Sequence, residues 1–367
     1  MFIIIEAFYY SETFYSIDIE GVLGLKILVG MSGGVDSSVS ASLLLEKGYE
    51  VIGVTLKLVE SSNEDFISDA KEVAKILGIE HHVLDLRREF SKEVEDYFAK
   101  EYLEGRTPNP CAMCNPKIKF GLMLDYALSL GCTHLATGHY AKVIYDETTN
   151  KWLLKKSDNF KDQSYFLYKL NQFQLSHAIF PLSKFEKSEV RNIAEKYNLP
   201  VAKKSESQDI CFVKNETHAQ FIERYKSITS PSGNFMDIYG NTLGKHKGII
   251  NYTVGQRRHL GIALGEHVYV KKIYPETNSI ILGNKESGKT NCLLARDLNL
   301  ISVDYIPQEG LKAFAKIRSR AKEIECKIYP GEKIKVVFSE DIYFPAPGQS
   351  IVFYDEKGFV IGGGIIC

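Results

Sequence analysis

Several things are scarce in this chain of 367 residues, and each scarcity excludes something. No apolar run approaches the roughly 18–20 residues that a transmembrane helix needs, so no helical membrane span is expected. The first 24 residues, MFIIIEAFYYSETFYSIDIEGVLG, hold four acids and no Lys or Arg, whereas a secretory signal needs a positive start. Net charge is scarce too: 45 Lys and Arg against 46 Asp and Glu leave −1. Binding to nucleic acid would therefore have to come from local basic patches. Cysteine is sparse and odd in number, seven spread along the chain. That argues against a disulfide framework and for a reducing cytoplasm, where a close pair such as Cys111 and Cys114 points to metal binding or catalysis. There is no internal repeat and no low-complexity tract.

What is present is ordinary globular material, 44% hydrophobic and 25% charged, enough for two or three domains. Strand and helix signals alternate through the first half. KILVGM (26–31) reads as a buried parallel strand and SSVSASLLLEKG (37–48) as a helix ending at Gly48. EVIGVTLKL (50–58) is a second strand, NEDFISDAKEVAKILG (63–78) a helix, EHHVLDL (80–86) a third strand and THLATGHYA (133–141) a fourth. Such alternation predicts a parallel sheet with helices on both faces. Beyond about residue 215, short β-rich runs between Gly, Pro and Asn predict one or two small antiparallel barrels or sandwiches.

SGGVDSS (32–38) joins the first strand to the first helix. Glycines let backbone N–H groups approach an anion, and a helix N-terminus adds partial positive charge. Ser32, Ser37 and Ser38 can donate to phosphate oxygens. Asp36 is odd there, since it repels phosphate unless it binds a bridging Mg²⁺ or caps the helix. A plain capping turn, with Asp or Ser at the N-cap, is the alternative. The loop lacks both the Walker lysine and the GxGxxG spacing, which removes the kinase, GTPase and dinucleotide readings. It resembles the SGGxDS loop of ATP pyrophosphatases, enzymes that adenylate a carbonyl oxygen and release pyrophosphate.

RTPNPCAMCNPKIKFG (106–121) sets Cys111 and Cys114 between prolines and before a basic helix start. Lys117, Lys119 and the helix N-terminus are expected to favour thiolate over thiol. A third thiol, Cys211, stands in SESQDICFV (205–213). Sulfur insertion needs such a set: one persulfide to attack and one thiol to release it as a disulfide.

Read in order, GMSGGVDSSV, TPNPCAMCNPKIKF, ATGHYA, KDQSYFLY, FPLS, ESQDICFV, NYTVGQRRHLGIA and APGQS resemble the tRNA-specific 2-thiouridylases, which thiolate the wobble uridine of tRNAs for Lys, Glu and Gln. Eight ordered motifs over about 340 residues are far more specific than any one of them. The resemblance implies an α/β fold: a parallel-sheet pyrophosphate-loop ATP pyrophosphatase domain (HUP, or adenine nucleotide alpha hydrolase-like) at 25–215. A small β-rich middle domain at 216–288 and a C-terminal β-barrel at 289–367 follow, and both grip the tRNA. Residues 1–24 have no place in that pattern. They are expected to be an annotation artefact, with the true start at Leu25.

By the same resemblance, Gly30, Met31, Ser32, Gly33, Gly34, Val35, Asp36, Ser37, Leu56 and Gly138 bind ATP. Asn109, Pro110 and Cys111 line the pocket for the flipped-out uridine. Cys114 is the nucleophile and Cys211 the persulfide carrier. His139, Lys161, Asp162, Gln163, Arg318, Ser319 and Gln349 touch tRNA. ATP adenylates the uridine 2-oxygen with Mg²⁺, and the sulfur comes from a persulfide donor protein. AMP departs, and a Cys114–Cys211 disulfide is left for reduction.

One position departs from the family: many relatives carry Asp where this chain has Cys111. Cys111, Cys114 and Cys211 can therefore also be read as ligands of a 4Fe–4S cluster with one open iron, as in some related tRNA thiolases. Other readings stay in view, namely an amide ligase built on the same loop and a non-catalytic RNA-binding or iron–sulfur protein. Cys132, Cys292, Cys326 and Cys367 are expected to be buried packing residues. Residues 241–272 carry six Lys or Arg against one acid, and residues 311–330 six against two. With an RNA substrate these stretches read as phosphate contacts. His81 and His82, adjacent on a strand, point to opposite faces and are no metal site. Asp209 reads as a loop or helix cap.

Overall fold

The computed structural model describes residues 15–16, 25–60, 65–204, 210–262, 265 and 267–367. The rest of residues 1–24, the first residues of the helix read from 63, and Asp209 lie outside them. The catalytic half is a five-stranded parallel sheet. Its order is Glu80–Asp85, Glu50–Lys57, Lys26–Gly30, His134–Ala136 and Ala178–Ile179. Alternation along the central strand shows why it is central. Ile27 and Val29 join one buried cluster with Val39, Ala70 and Val73 of two helices, while Leu28 joins another with Phe120, Met123 and Leu135. A strand buried on both faces has to be apolar throughout, as KILVG is.

The fourth strand is shorter than its sequence suggests. Only His134–Ala136 pairs in the sheet, because Thr137–Tyr140 turns back over the glycine loop, and Ala141–Asp146 then pairs with Lys151–Lys156 in a second sheet that also takes Tyr15–Ser16. Past residue 215, Thr242–His246, Gly233–Met236, Ser279–Gly283 and Tyr269–Tyr274 form a four-stranded sheet. One of its pairings, Ser279–Gly283 with Gly233–Met236, is parallel, where an all-antiparallel unit was expected. Six later strands close a barrel in which every neighbouring pair is antiparallel.

The β units share cores with the catalytic domain. Val352, Tyr354 and Val360 of the barrel pack with Leu28 and Phe120. Phe221, Phe235, Val270 and Ile280 pack with Phe90, Phe98 and Phe212, while Phe344 and Ala346 join the same cluster. Truncating one such aromatic to Ala would cost about 3–5 kcal/mol. Interfaces this apolar hold the three units in fixed relation. No helix among the described residues is long and apolar enough to cross a membrane.

Candidate active site

The helix Val35–Glu46 starts at Gly34, whose extended backbone provides no side-chain cap. The capping alternative thus fails, and the amides of the first turn are left for an acceptor from outside. Ser37 instead turns back to its own loop: the Ser32 amide donates to Ser37 Oγ at 3.1 Å, and Ser37 Oγ lies 3.2 Å from the Gly34 carbonyl. Gly33 has φ +67°, and a Cβ there would stand 2.3 Å from the Phe66 carbonyl oxygen, so no other residue fits. Met31 and Val35 send their side chains into the core, which leaves only their backbones for a ligand. Leu56, next to the last residue of its strand, packs against two clusters.

Asp36 is answered by cations and hydroxyls. Tyr140 donates to its Oδ1 at 2.8 Å, and Lys187 Nζ lies 2.6 Å from the same atom. Lys204 donates to the Gly33 carbonyl at 2.9 Å and pairs with Asp69. Sequence reasoning missed Tyr140, Lys187 and Lys204. The quoted ATGHYA contained the first, and Lys187 follows FPLS by three residues; Lys204 stood in no quoted motif.

Cys111–Cys114 forms one helical turn capped by Pro110, continued by a π-type stretch over Asn115–Met123. Such stretches frequently occur at functional sites. Cys211 is anchored by its neighbour: Phe212 is buried, edge-on to Phe98 at 5.1 Å and to Phe90 at 5.6 Å. The structure opposes the expected electrostatics. Burial pushes Cys114 up to about 12 and Cys211 up to about 11, and it raises Cys111 as well. Lys119 pulls all three thiols the other way and loses. Cys114 is the buried one of the three, whereas Cys111 and Cys211 keep an exposed face at the edge of the same packed surround. All seven cysteines are free. Cys132 and Cys326 are buried as expected, whereas Cys367 is exposed and Cys292 half-buried.

One turn joins the glycine loop to the thiols. A Cβ on Gly138 would come within 2.9 Å of the Ser37 amide nitrogen, so glycine alone lets the turn approach. The next residue, His139, is held well away from protonation by burial and by Lys119. Lys119 Nζ stands 3.4 Å from its Nε2, which leaves Nδ1–H to donate to Thr137 Oγ1 at 2.8 Å. Thus His139 is a neutral internal residue rather than a cation on a surface.

The other expected RNA residues divide. Arg318 and Ser319 are exposed, with Arg318 Nη2 on the Phe344 carbonyl at 3.0 Å, and Lys161 is exposed. Asp162 turns inward: it accepts from Ser164 Oγ at 2.9 Å, and burial raises its carboxyl above the usual range. Gln163 accepts from the Tyr140 amide at 3.1 Å. Gln349 donates to the Thr107 carbonyl at 2.9 Å, and Asn109, buried, donates to Ser350 Oγ at 3.3 Å. Arg257, Arg258 and His259 are exposed, and Arg257 and His259 line a recess of about 440 Å³. His81 and His82 bond to Thr55 and Tyr126 respectively. Among the described residues no three His, Cys, Asp or Glu side chains gather as a metal ion needs.

Comparison with known proteins covers the whole of this arrangement. Residues 25–215 match the family model described as tRNA methyl transferase HUP domain, residues 219–284 the tRNA methyl transferase PRC-barrel domain, and residues 290–366 the aminomethyltransferase beta-barrel domain. The tRNA-specific 2-thiouridylase MnmA of Acetivibrio thermocellus is 48% identical over 356 residues, spanning 93% of this chain and 99% of the relative. Its namesakes from Caldicellulosiruptor saccharolyticus and Clostridioides difficile are 47% and 46% identical, each spanning 93% of this chain and 98% of their own. A solved 4-thiouridine synthetase, in complex with RNA and with ATP bound, aligns over 55% of this chain and 50% of its own at 16% identity and a TM-score of 0.38.

Proposed function

This chain belongs to the tRNA-specific 2-thiouridylase family, and on that premise we propose that it replaces the 2-oxygen of a wobble uridine by sulfur, using ATP and a cysteine persulfide. It is a tRNA sulfurtransferase. The observation that carries the finer reading is the Thr137–Tyr140 turn, which touches the glycine loop through Gly138 and Tyr140 and the thiol cluster through His139 and Lys119. In this reading the turn links the end where the oxygen is activated to the end where sulfur is delivered.

In this reading the uridine O2 attacks the α-phosphorus of ATP, and the bond to pyrophosphate breaks. Backbone amides of Gly30–Ser37 hold the phosphates while Asn109–Cys111 receive the extruded base. The terminal sulfur of a Cys211 persulfide attacks C2. Cys114 attacks the Cys211 sulfur, the sulfur–sulfur bond cleaves, and AMP leaves with the former carbonyl oxygen. What remains is 2-thiouridine and a Cys114–Cys211 disulfide, which an external thiol reduces. Burial keeps Cys114 protonated at rest, so its proton leaves only as the site fills, and Lys119 is the cation that stabilises the thiolate. Mg²⁺ belongs with the nucleotide's phosphates, because Asp36, the loop's carboxylate, already holds Lys187 and Tyr140.

Three thiols that influence one another favour a second reading, a 4Fe–4S cluster, yet they do not converge as ligands around one point. The family models' names speak of methyl transfer, but thiols grouped about a lysine serve sulfur chemistry. The division at 215 and 288, with tRNA for Lys, Glu and Gln gripped by the β units, is part of the same proposal.

The test incubates the protein with unmodified tRNA for Glu, ATP, Mg²⁺ and a persulfide donor, then measures nucleosides by mass spectrometry. The expected product is 2-thiouridine with one AMP per turnover. Its absence in aerobic and anaerobic preparations alike overturns the proposal. Brown, iron-bearing protein that is active only anaerobically would install the cluster instead.

A further inference from the structure

The segment that carries the uridine pocket cannot hold itself. In Thr107-Pro108-Asn109-Pro110, two of four residues lack an N–H, so much of the hold on this backbone must come through its carbonyls and its side chains. Partners of both kinds come from the barrel. Gln349 Nε2 donates to the carbonyls of Thr107 at 2.9 Å and Pro108 at 3.4 Å. The Thr107 amide donates to the Pro347 carbonyl at 2.7 Å, and Asn109 Nδ2 to Ser350 Oγ at 3.3 Å. Tyr165 in turn fixes the Ser350 carbonyl at 2.7 Å.

A second hold lies just upstream. Glu101, buried, takes Arg106 through two bonds of 2.7 Å, and Arg296 of the barrel approaches both carboxylate oxygens at 3.3 Å. Arg106 immediately precedes the segment. A bidentate arginine fixes direction as well as distance. The barrel thus grips Arg106–Pro110 at both ends, and Cys111 opens the helix directly after it.

We infer that Gln349 is a positioning residue for sulfur transfer: its amide holds the backbone that seats Asn109, Pro110 and Cys111, with Arg296 assisting through Glu101 and Arg106. The barrel then does more than bind RNA; it is a structural part of the site. This inference rests on the thiolation reading for its kinetic arm alone.

Two arms test it. In steady-state thiolation, Gln349→Ala and Gln349→Glu lower kcat about tenfold or more while KM for tRNA stays within about twofold, as expected for misplacement of reacting groups. Arg296→Met behaves likewise, and Arg296→Lys, which keeps the charge, recovers part of the loss. A KM that rises at unchanged kcat makes Gln349 an RNA contact only and overturns the inference. The other arm needs neither RNA nor ATP: iodoacetamide labelling of Cys114, read by peptide mass spectrometry, is several-fold faster in Gln349→Ala than in the parent protein. Equal labelling overturns the inference even if the parent shows no thiolation, whereas a parent that labels as expected but does not thiolate sinks the functional reading instead.

Discussion

The glycine loop and the thiol cluster make a useful pair, because one is built from neighbours in sequence and the other from strangers. Gly30–Ser37 takes its shape from its own backbone: a positive φ at Gly33, an uncapped first turn after Gly34 and a serine folded back on it. Cys111, Cys114 and Cys211 come together only because Phe212 anchors one segment in an aromatic cluster and the barrel braces the other. Chemistry carried by backbone survives reading from sequence. Chemistry carried by desolvation does not, because burial is decided by residues far along the chain.

The largest expected effect separates the two regions. Cys211→Ser should remove thiolation by at least roughly a thousandfold, as losing a reacting group does. Pyrophosphate release should persist within a few-fold, measured with a coupled assay. Loss of both would mean that the regions do not act in sequence.

Gly33→Ala should strike both regions. The backbone strain costs about 1–3 kcal/mol. Displacing the loop should lower pyrophosphate release and thiolation together, roughly a hundredfold. Parallel falls sharpen the comparison, and a surviving pyrophosphate release breaks it.

Alkylation tests the reversed electrostatics. With Cys211 at about 11, its labelling rate should climb about tenfold per pH unit from pH 8 to pH 10 without a plateau. Lys119→Met should slow it roughly tenfold further by removing the opposing charge. A plateau near pH 8 would restore the thiolate that the motif suggested.

The smallest effect concerns stability. Burial lowers the folded-state affinity of His139, His218 and His246 for protons below that of the unfolded chain. Their contribution is therefore complete above the ordinary histidine range and is lost as pH falls below about 6.5. Thermal unfolding at pH 5 should come several degrees below that at pH 7, and His139→Gln should narrow the gap.

Much of this was legible in the residues. KILVG and EVIGVTLK announced buried strands, and the short β-rich runs beyond residue 215 announced units distinct from the sheet, although not that two of the middle strands run parallel. SGGVDSS announced a glycine turn that opens a helix, which Gly33 and the uncapped start at Gly34 provide. The motif ATGHYA announced importance but not geometry: its strand stops at Ala136 because Gly138 must meet Ser37. Lys119 looked decisive beside two cysteines, since a sequence displays charges and hides the water excluded from around them. His139, Asp162 and Gln349 looked like RNA contacts, yet each has an internal partner, and no spacing rule joins Gln349 to a carbonyl 242 residues earlier.

That separation also sets a clock. A ribosome adding about 5–20 residues per second needs roughly 10–50 s to pass from Thr107 to Gln349. Until the end of that interval the Thr107 and Pro108 carbonyls lack Gln349, for most of it Glu101 lacks Arg296, and the apolar cluster that buries Cys114 waits for Phe344 and Ala346. The segment that leads into Cys111 is therefore made long before its brace, so the last domain to be synthesised is the one that gives the first its working shape.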